Sequence, residues 1–203
     1  MAARGIPSSS SSMAEMASHI CDKIRSVFTA SAGDRPSALD VVVDEISAAA
    51  ARKGRVFVHG VGREGLMLKA LCMRLAHLGL GAHVVGDVTT PPIAPPDLLV
   101  ASAGPGGFAT VEAVCGVAGA VGARVLLLTA RPEGPAARLA SAVAFVPART
   151  MAETAETAES LLLPMGSAYE GALFVLFEMV VFTVADLLGE TPASIAARHT
   201  NLE

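Results

Sequence analysis

The hexapeptide Gly60-Val61-Gly62-Arg63-Glu64-Gly65 follows the apolar run Val56–Val58 and precedes a helix-like stretch. A strand passing through glycines into a helix N-terminus makes an anion site, because unpaired N–H groups and the helix dipole converge there. Candidates for proton transfer lie elsewhere. Glu170 stands in a nearly uniform apolar stretch, where burial raises a carboxyl pKa towards the range useful to a base, and it reads equally as a structural carboxylate paired with an arginine or a helix N-terminus. His199, beside Arg198, reads from its own surroundings as a surface or cap histidine. His77 reads as a core histidine, and His59, directly before the glycines, equally as strand-end packing or a cleft group.

The hexapeptide also fits G-x-G-x-x-G, and Asp87 follows at about the 20-residue distance of a ribose-binding acid. Taken alone this is a dinucleotide site. Two amphipathic helices before the first strand, and the unusual loop Thr89-Thr90-Pro91-Pro92, weigh against it.

The elements that must position these groups are legible in the hydrophobic pattern. Met16, Ile20, Ile24, Val27 and Phe28 recur at helical spacing from Met13, and Gly33 ends that helix. Asp34 or Ser37 caps a second helix carrying Leu39, Val42, Val43, Ile46 and Ala50, which ends at Arg52-Lys53-Gly54. Short apolar runs then alternate with helical ones. Val56–Val58, His83–Val85, Leu98–Ala101, Val125–Leu128 and Val143–Val146 read as strands, with helices at Leu66–Leu78, Thr110–Val121 and Ala136–Ala140 between them. The alternation predicts an α/β fold with a five-stranded parallel sheet flanked by helices, a Rossmann-like three-layer sandwich. Ligands of such sheets bind at the carboxyl ends of strands, where Gly60–Gly65, Thr89–Pro96 and Gly104–Gly107 fall. Met151–Ser160 reads as a polar, helix-prone connection and Pro192–Arg198 as a short final helix. Pro164–Leu188 reads as a buried or intersubunit helix rather than a membrane span, because acids inside it would be costly in lipid.

At 203 residues the expectation is one domain, residues 13–203, after a disordered Ser-rich leader at 1–12. An organellar leader is the alternative for those first residues. The net charge of −4 without a basic stripe argues against nucleic acid, and no membrane partner is expected. Cys21, Cys72 and Cys115 are too widely spaced for a metal site or disulfide framework, so reduced thiols and a cytoplasmic location are expected. The apolar fraction of 52% suggests that some helices are buried in subunit contacts.

The ordered set Gly60-x-Gly62-Arg63-x-Gly65, Met73-Arg74-Leu75-x-His77-Leu78-Gly79, Val84-Val85-Gly86-Asp87-x-Thr89-Thr90-Pro91, Pro96-Asp97-Leu98-Leu99, Gly122-Ala123-x-Val125, Pro164-Met165-Gly166-Ser167-x-x-Glu170 and Arg198-His199-x-Asn201-Leu202-Glu203 resembles the sugar-isomerase (SIS) domain. Within that family it is most similar to the 6-phospho-3-hexuloisomerase group. The resemblance implies carbohydrate-derivative binding, a homotetramer with shared active sites, and no metal or organic cofactor. The implied reaction converts a 3-hexulose 6-phosphate to fructose 6-phosphate through an enediol, which needs a base, a carbonyl donor and a phosphate clamp. It assigns His199 and Glu170 as the catalytic groups. Gly60, Gly62, Arg63, Glu64, Gly65, Thr89, Thr90, Ser102, Gly104, Gly106 and Gly107 become the substrate-binding set. Two departures follow. Glu64 occupies the family's serine position, and Ala103-Gly104-Pro105-Gly106-Gly107-Phe108 replaces S-G-S-G-E-T. A carboxylate at a helix N-terminus either repels phosphate or fills the anion site itself. The alternative function is therefore a non-catalytic SIS module that binds a carbohydrate derivative or a protein partner.

Overall fold

The structure, a computed structural model, describes residues 11–30, 33–153 and 162–202. Most of the leader and of the polar connection lies outside these residues. Helix α1, Met13–Thr29, begins at a capping box. Ser12 accepts from the Glu15 N–H while the Glu15 carboxylate accepts from the Ser12 N–H. Helix α2, Ala38–Ala51, is capped by Ser37. The residue in the left-handed conformation after α2 is Lys53, not Gly54. Gly54 answers a different need, since a Cβ there would lie 1.9 Å from the Pro96 carbonyl oxygen.

Strands β1 (Val56–His59), β2 (Ala82–Val84), β3 (Leu98–Ser102), β4 (Arg124–Thr129) and β5 (Ala142–Phe145) form one parallel sheet in the order β2-β1-β3-β4-β5. Helix α3 (Gly62–His77) connects β1 to β2, and α4 (Ala109–Ala120) connects β3 to β4. The segment Pro135–Leu139, expected as α-helix, is a 3-10 turn that begins at proline. Helices α5 (Ser167–Leu187) and α6 (Pro192–Ala196) follow.

Strand alternation divides the core. Val56, Val58, Leu98, Val100, Leu126 and Leu128 pack towards α1, α2, α3 and α5, whereas Phe57, Leu99, Ala101, Val125 and Leu127 pack towards α4 and the 3-10 turn. Both faces are thus apolar, which explains the uninterrupted hydrophobic strands. Helix α5 is long and apolar enough to cross a membrane, but it packs on α1, α2 and α3. The thiols of Cys72 and Cys115 are buried in the two core layers, and burial pushes both up to about 11.

Strands β1 and β3 are adjacent while their crossovers leave on opposite sides, so the loops after them part and open a crevice. The amino ends of the same strands are tied by Asp97, which is 1% exposed. Its carboxylate accepts from the Arg55 N–H, Nε and Nη2 and from the Ala94 N–H, at 2.8–3.2 Å. Burial pushes this carboxyl up, but the Arg55 and backbone hydrogen bonds outweigh it and hold the pKa below the ordinary value. Asp97→Ala leaves Arg55 and buried N–H groups without their acceptor, so thermal unfolding should show a loss of about 3–5 kcal/mol. The expected fall in Tm is roughly 10 °C.

Candidate active site

The crevice begins where β1 turns into α3. Gly62 has a left-handed backbone, a conformation that glycine adopts without steric cost. A Cβ on Gly65 would lie 2.4 Å from the Gly60 carbonyl oxygen, so the turn closes only with glycine at 65. Val61 precedes α3 without a side-chain cap, which leaves first-turn N–H groups available to a ligand.

Glu64 turns inward and is 5% exposed. Its Oε2 accepts from Ser102 Oγ at 2.5 Å and from the Gly104 N–H at 3.0 Å. Ser102 Oγ also lies 3.3 Å from the buried Tyr169 hydroxyl. Burial pushes the Glu64 pKa up; the Ser102 and Gly104 hydrogen bonds oppose it without cancelling it. Burial, reinforced by the Glu64 charge, also holds the Tyr169 phenol well above its usual range. Gly104 is required here, because a Cβ would come 2.9 Å from Tyr169 Cε1 and 3.0 Å from Glu64 Oε1.

Glu170 enters from the first turn of α5, with its side chain 14% exposed. Arg63 Nη2 stands 3.2 Å from Glu170 Oε2, an ion pair out of line for a hydrogen bond. Arg63 also donates to Ser167 Oγ at 2.8 Å and to the Met165 carbonyl, joining the first glycine turn to the start of α5. Met165 and Gly166 are both left-handed, and Arg63 braces this turn. For a residue with a side chain, such as Met165, that conformation costs about 1–3 kcal/mol. Burial raises the Glu170 pKa above the ordinary carboxylate value, Arg63 pulls it down, and Glu64 pushes it further up.

Gly60, Gly62, Arg63, Glu64, Gly65, Ser102, Gly104 and Glu170 are therefore brought together. The second loop continues through Gly106, also left-handed, and Gly107. A Cβ at 107 would meet Glu112 Oε1 at 2.6 Å and Pro135 Cγ at 2.7 Å, so a glutamate at this position would have to displace the Glu112 side chain and the Pro135 ring. Thr129 Oγ1 donates to the Ala103 carbonyl at 2.8 Å and fixes this loop from β4. Thr90 donates to the Val84 carbonyl at 2.6 Å and pins the β2 loop, while Thr89 is exposed. His59 lies on the α4 side of β1, following the strand's alternation. Its buried Nε2 has no hydrogen-bond partner, and burial lowers its pKa so that it is neutral at neutral pH.

His199 lies elsewhere in the chain. Its ring packs 5.2 Å from that of His77, and Nδ1 is 2.9 Å from the Thr200 carbonyl oxygen. Arg198 fixes this segment by donating to the His77 carbonyl and to Glu190. The pair marks the end of α3 opposite the crevice, with the whole length of that helix between them. His77 is half-buried and stacked rather than enclosed in the core. Tyr169, the chain's single tyrosine, is a site residue that sequence patterns did not single out; its position directly before Glu170 was the available signal.

Among the described residues no cluster of three or more His, Cys, Asp or Glu side chains is placed to hold a metal. Asp87, the ribose-binding acid of the dinucleotide reading, is exposed past β2, and Glu64 opposes a pyrophosphate at this turn as it would any phosphate.

No protein-family model matches the chain. A Mycobacterium gastri protein named 3-hexulose-6-phosphate isomerase is 40% identical over 150 residues, covering 74% of each chain. A Bacillus subtilis protein of the same name is 30% identical over 149 residues, covering 73% of this chain and 80% of its own. The crystal structure of a Methanococcus jannaschii protein, described as inferring 3-hexulose-6-phosphate isomerase function, superposes with a TM-score of 0.76 at 25% identity, covering 93% of this chain and 99% of that one. The chain belongs to the sugar-isomerase (SIS) family, close to its 3-hexulose-6-phosphate isomerase group.

Proposed function

We propose that this protein is a sugar-phosphate isomerase that interconverts a 3-hexulose 6-phosphate and fructose 6-phosphate through a 2,3-enediol. One observation carries the reading: Glu170, its pKa raised by burial, stands beside Arg63 of the first glycine turn and feels the charge of Glu64, which is bonded to the second loop. Glu170 takes the proton from C2 of the 3-hexulose and returns it at C3. A carboxylate with a raised pKa is a stronger base, and the Arg63 ion pair orients it. The C3 carbonyl oxygen gains a proton as the C2 hydroxyl loses one. The neutral imidazole of His59, at the end of β1, is one donor for this step. His199 is the other, offered to a neighbouring subunit's crevice within a homotetramer. The exposed Phe174 and Phe182 of α5 supply an apolar contact face for that assembly. First-turn N–H groups of α3 hold the phosphate, joined by the Gly104 N–H once Glu64 releases it. The unpaired thiols fit a cytoplasmic location.

Formation of fructose 6-phosphate, followed by a coupled dehydrogenase, tests the activity. Wild type should turn over; His199→Ala should lose most of the rate if a neighbouring subunit supplies the donor, and His59→Ala should do so if the end of β1 supplies it. A null result for wild type at high enzyme concentration refutes the reading. Such a null, with sugar-phosphate binding retained, is the outcome for a non-catalytic SIS module, which the Glu64 carboxylate in the crevice favours.

A further inference from the structure

Glu64 is an acid held where donors for an anion converge. It lies in the first turn of α3, at the positive end of the helix dipole. The Ser102 hydroxyl and Gly104 N–H both point at its Oε2, and Tyr169 backs Ser102 from behind. Gly104 makes room for the carboxylate, since a Cβ there would contact Glu64 Oε1 at 3.0 Å. These donors are the ones an oxygen of a tetrahedral anion would take.

We propose that Glu64 sets the anion specificity of this crevice: its ionised carboxylate and a phosphate group compete for the Ser102 and Gly104 donors, so a phosphate-bearing ligand binds together with a proton taken up by Glu64. The inference rests on the reading of the crevice as a sugar-phosphate site. Once protonated, Glu64 no longer repels the ligand and offers an O–H donor in place of a serine hydroxyl. Its surroundings favour that uptake. Helix α5 brings Tyr169 and the like-charged Glu170, and β3 contributes only the uncharged Ser102. Arg63 on α3 is engaged with Glu170, Ser167 and the Met165 carbonyl. His59 stands at the end of β1, and Arg131 packs against Gly106 of the second loop. Burial already pushes the Glu64 carboxyl up.

Sulfate is the appropriate probe, because it stays a dianion where phosphate and His59 titrate. Calorimetry on wild type between about pH 5.5 and 8.5 should show affinity falling with rising pH, by up to about tenfold per unit where one proton is coupled. Repeating the titration in buffers of different ionisation enthalpy should show proton uptake on binding. Glu64→Gln should bind sulfate about tenfold more tightly than wild type near pH 8 and lose most of the slope; whatever slope His59 and Glu170 contribute remains. Glu64→Ser should behave likewise, which covers the case in which the glutamine variant does not fold. The inference is overturned if both variants bind no tighter than wild type and keep its slope, or if none of the three proteins binds sulfate. Turnover with Glu64-independent sulfate binding defeats this inference alone. A Glu64-dependent slope without turnover defeats the catalytic reading alone.

Discussion

Glu170→Gln should lower kcat by about 10²–10⁴-fold, the contribution of a positioned general base. Glutamine keeps the size and hydrogen-bonding reach of glutamate but cannot accept a proton from carbon. In the proposed site the phosphate would lie on backbone N–H groups of other elements, so KM should change little. The pH profile gives the separate signature of a catalytic rather than structural role. The base must be ionised, and burial raises the Glu170 pKa, so wild-type kcat should fall on the acid side at a higher pH than an ordinary carboxylate would give. Glu170→Gln should lose that limb. Stability moves with the opposite sign. A carboxyl with a raised folded pKa contributes stability that is fully present below its unfolded pKa and is lost as pH rises through the folded pKa. Steady-state kinetics and thermal unfolding across pH read both effects.

Gly65→Ala should cost about 100-fold in kcat/KM, the scale expected when catalytic groups are displaced by about 1 Å. The added methyl would sit 2.4 Å from the Gly60 carbonyl oxygen, and the obstruction is backbone rather than a mobile side chain. Either the turn opens or α3 shifts, and in both cases Arg63 and Glu64 leave their places against α5 and the second loop. Over-packing of this kind also destabilises by about 1–3 kcal/mol. Gly116→Ala is the control. A Cβ at 116, on α4, meets no neighbouring atom. This substitution should therefore stabilise by about 0.5–1 kcal/mol through helix propensity.

The sheet was legible because its inner strands β1, β3 and β4 are short apolar runs buried on both faces, with half-buried β2 and β5 at the edges and glycine or proline near the strand ends. Boundaries differed by a residue or so, and the Gly54 reading failed for a tertiary reason: Pro96, which forbids a side chain there, is remote in sequence. The first glycine turn was legible as an anion site because its geometry is local. The second loop was legible in composition only. The obstacle to a side chain at Gly107 comes from Pro135 and Glu112, and the room for Glu64 comes from Gly104 and Tyr169. Glu64 was readable as a conflict with phosphate at a helix N-terminus. Its resolution required Ser102 and Gly104, which the sheet order brings beside α3. His199 was assigned through resemblance, and its contact with His77 depends on how the segment after α6 folds back.

The most direct measurement follows the C3 hydrogen of fructose 6-phosphate incubated with the protein in deuterium oxide, by proton NMR. Reversible enolisation at the crevice should replace that hydrogen with deuterium or produce the 3-hexulose 6-phosphate. Glu170→Gln should abolish both. A C3 hydrogen that persists with wild-type protein, and no 3-hexulose product at high protein concentration, would contradict an isomerase working through Glu170.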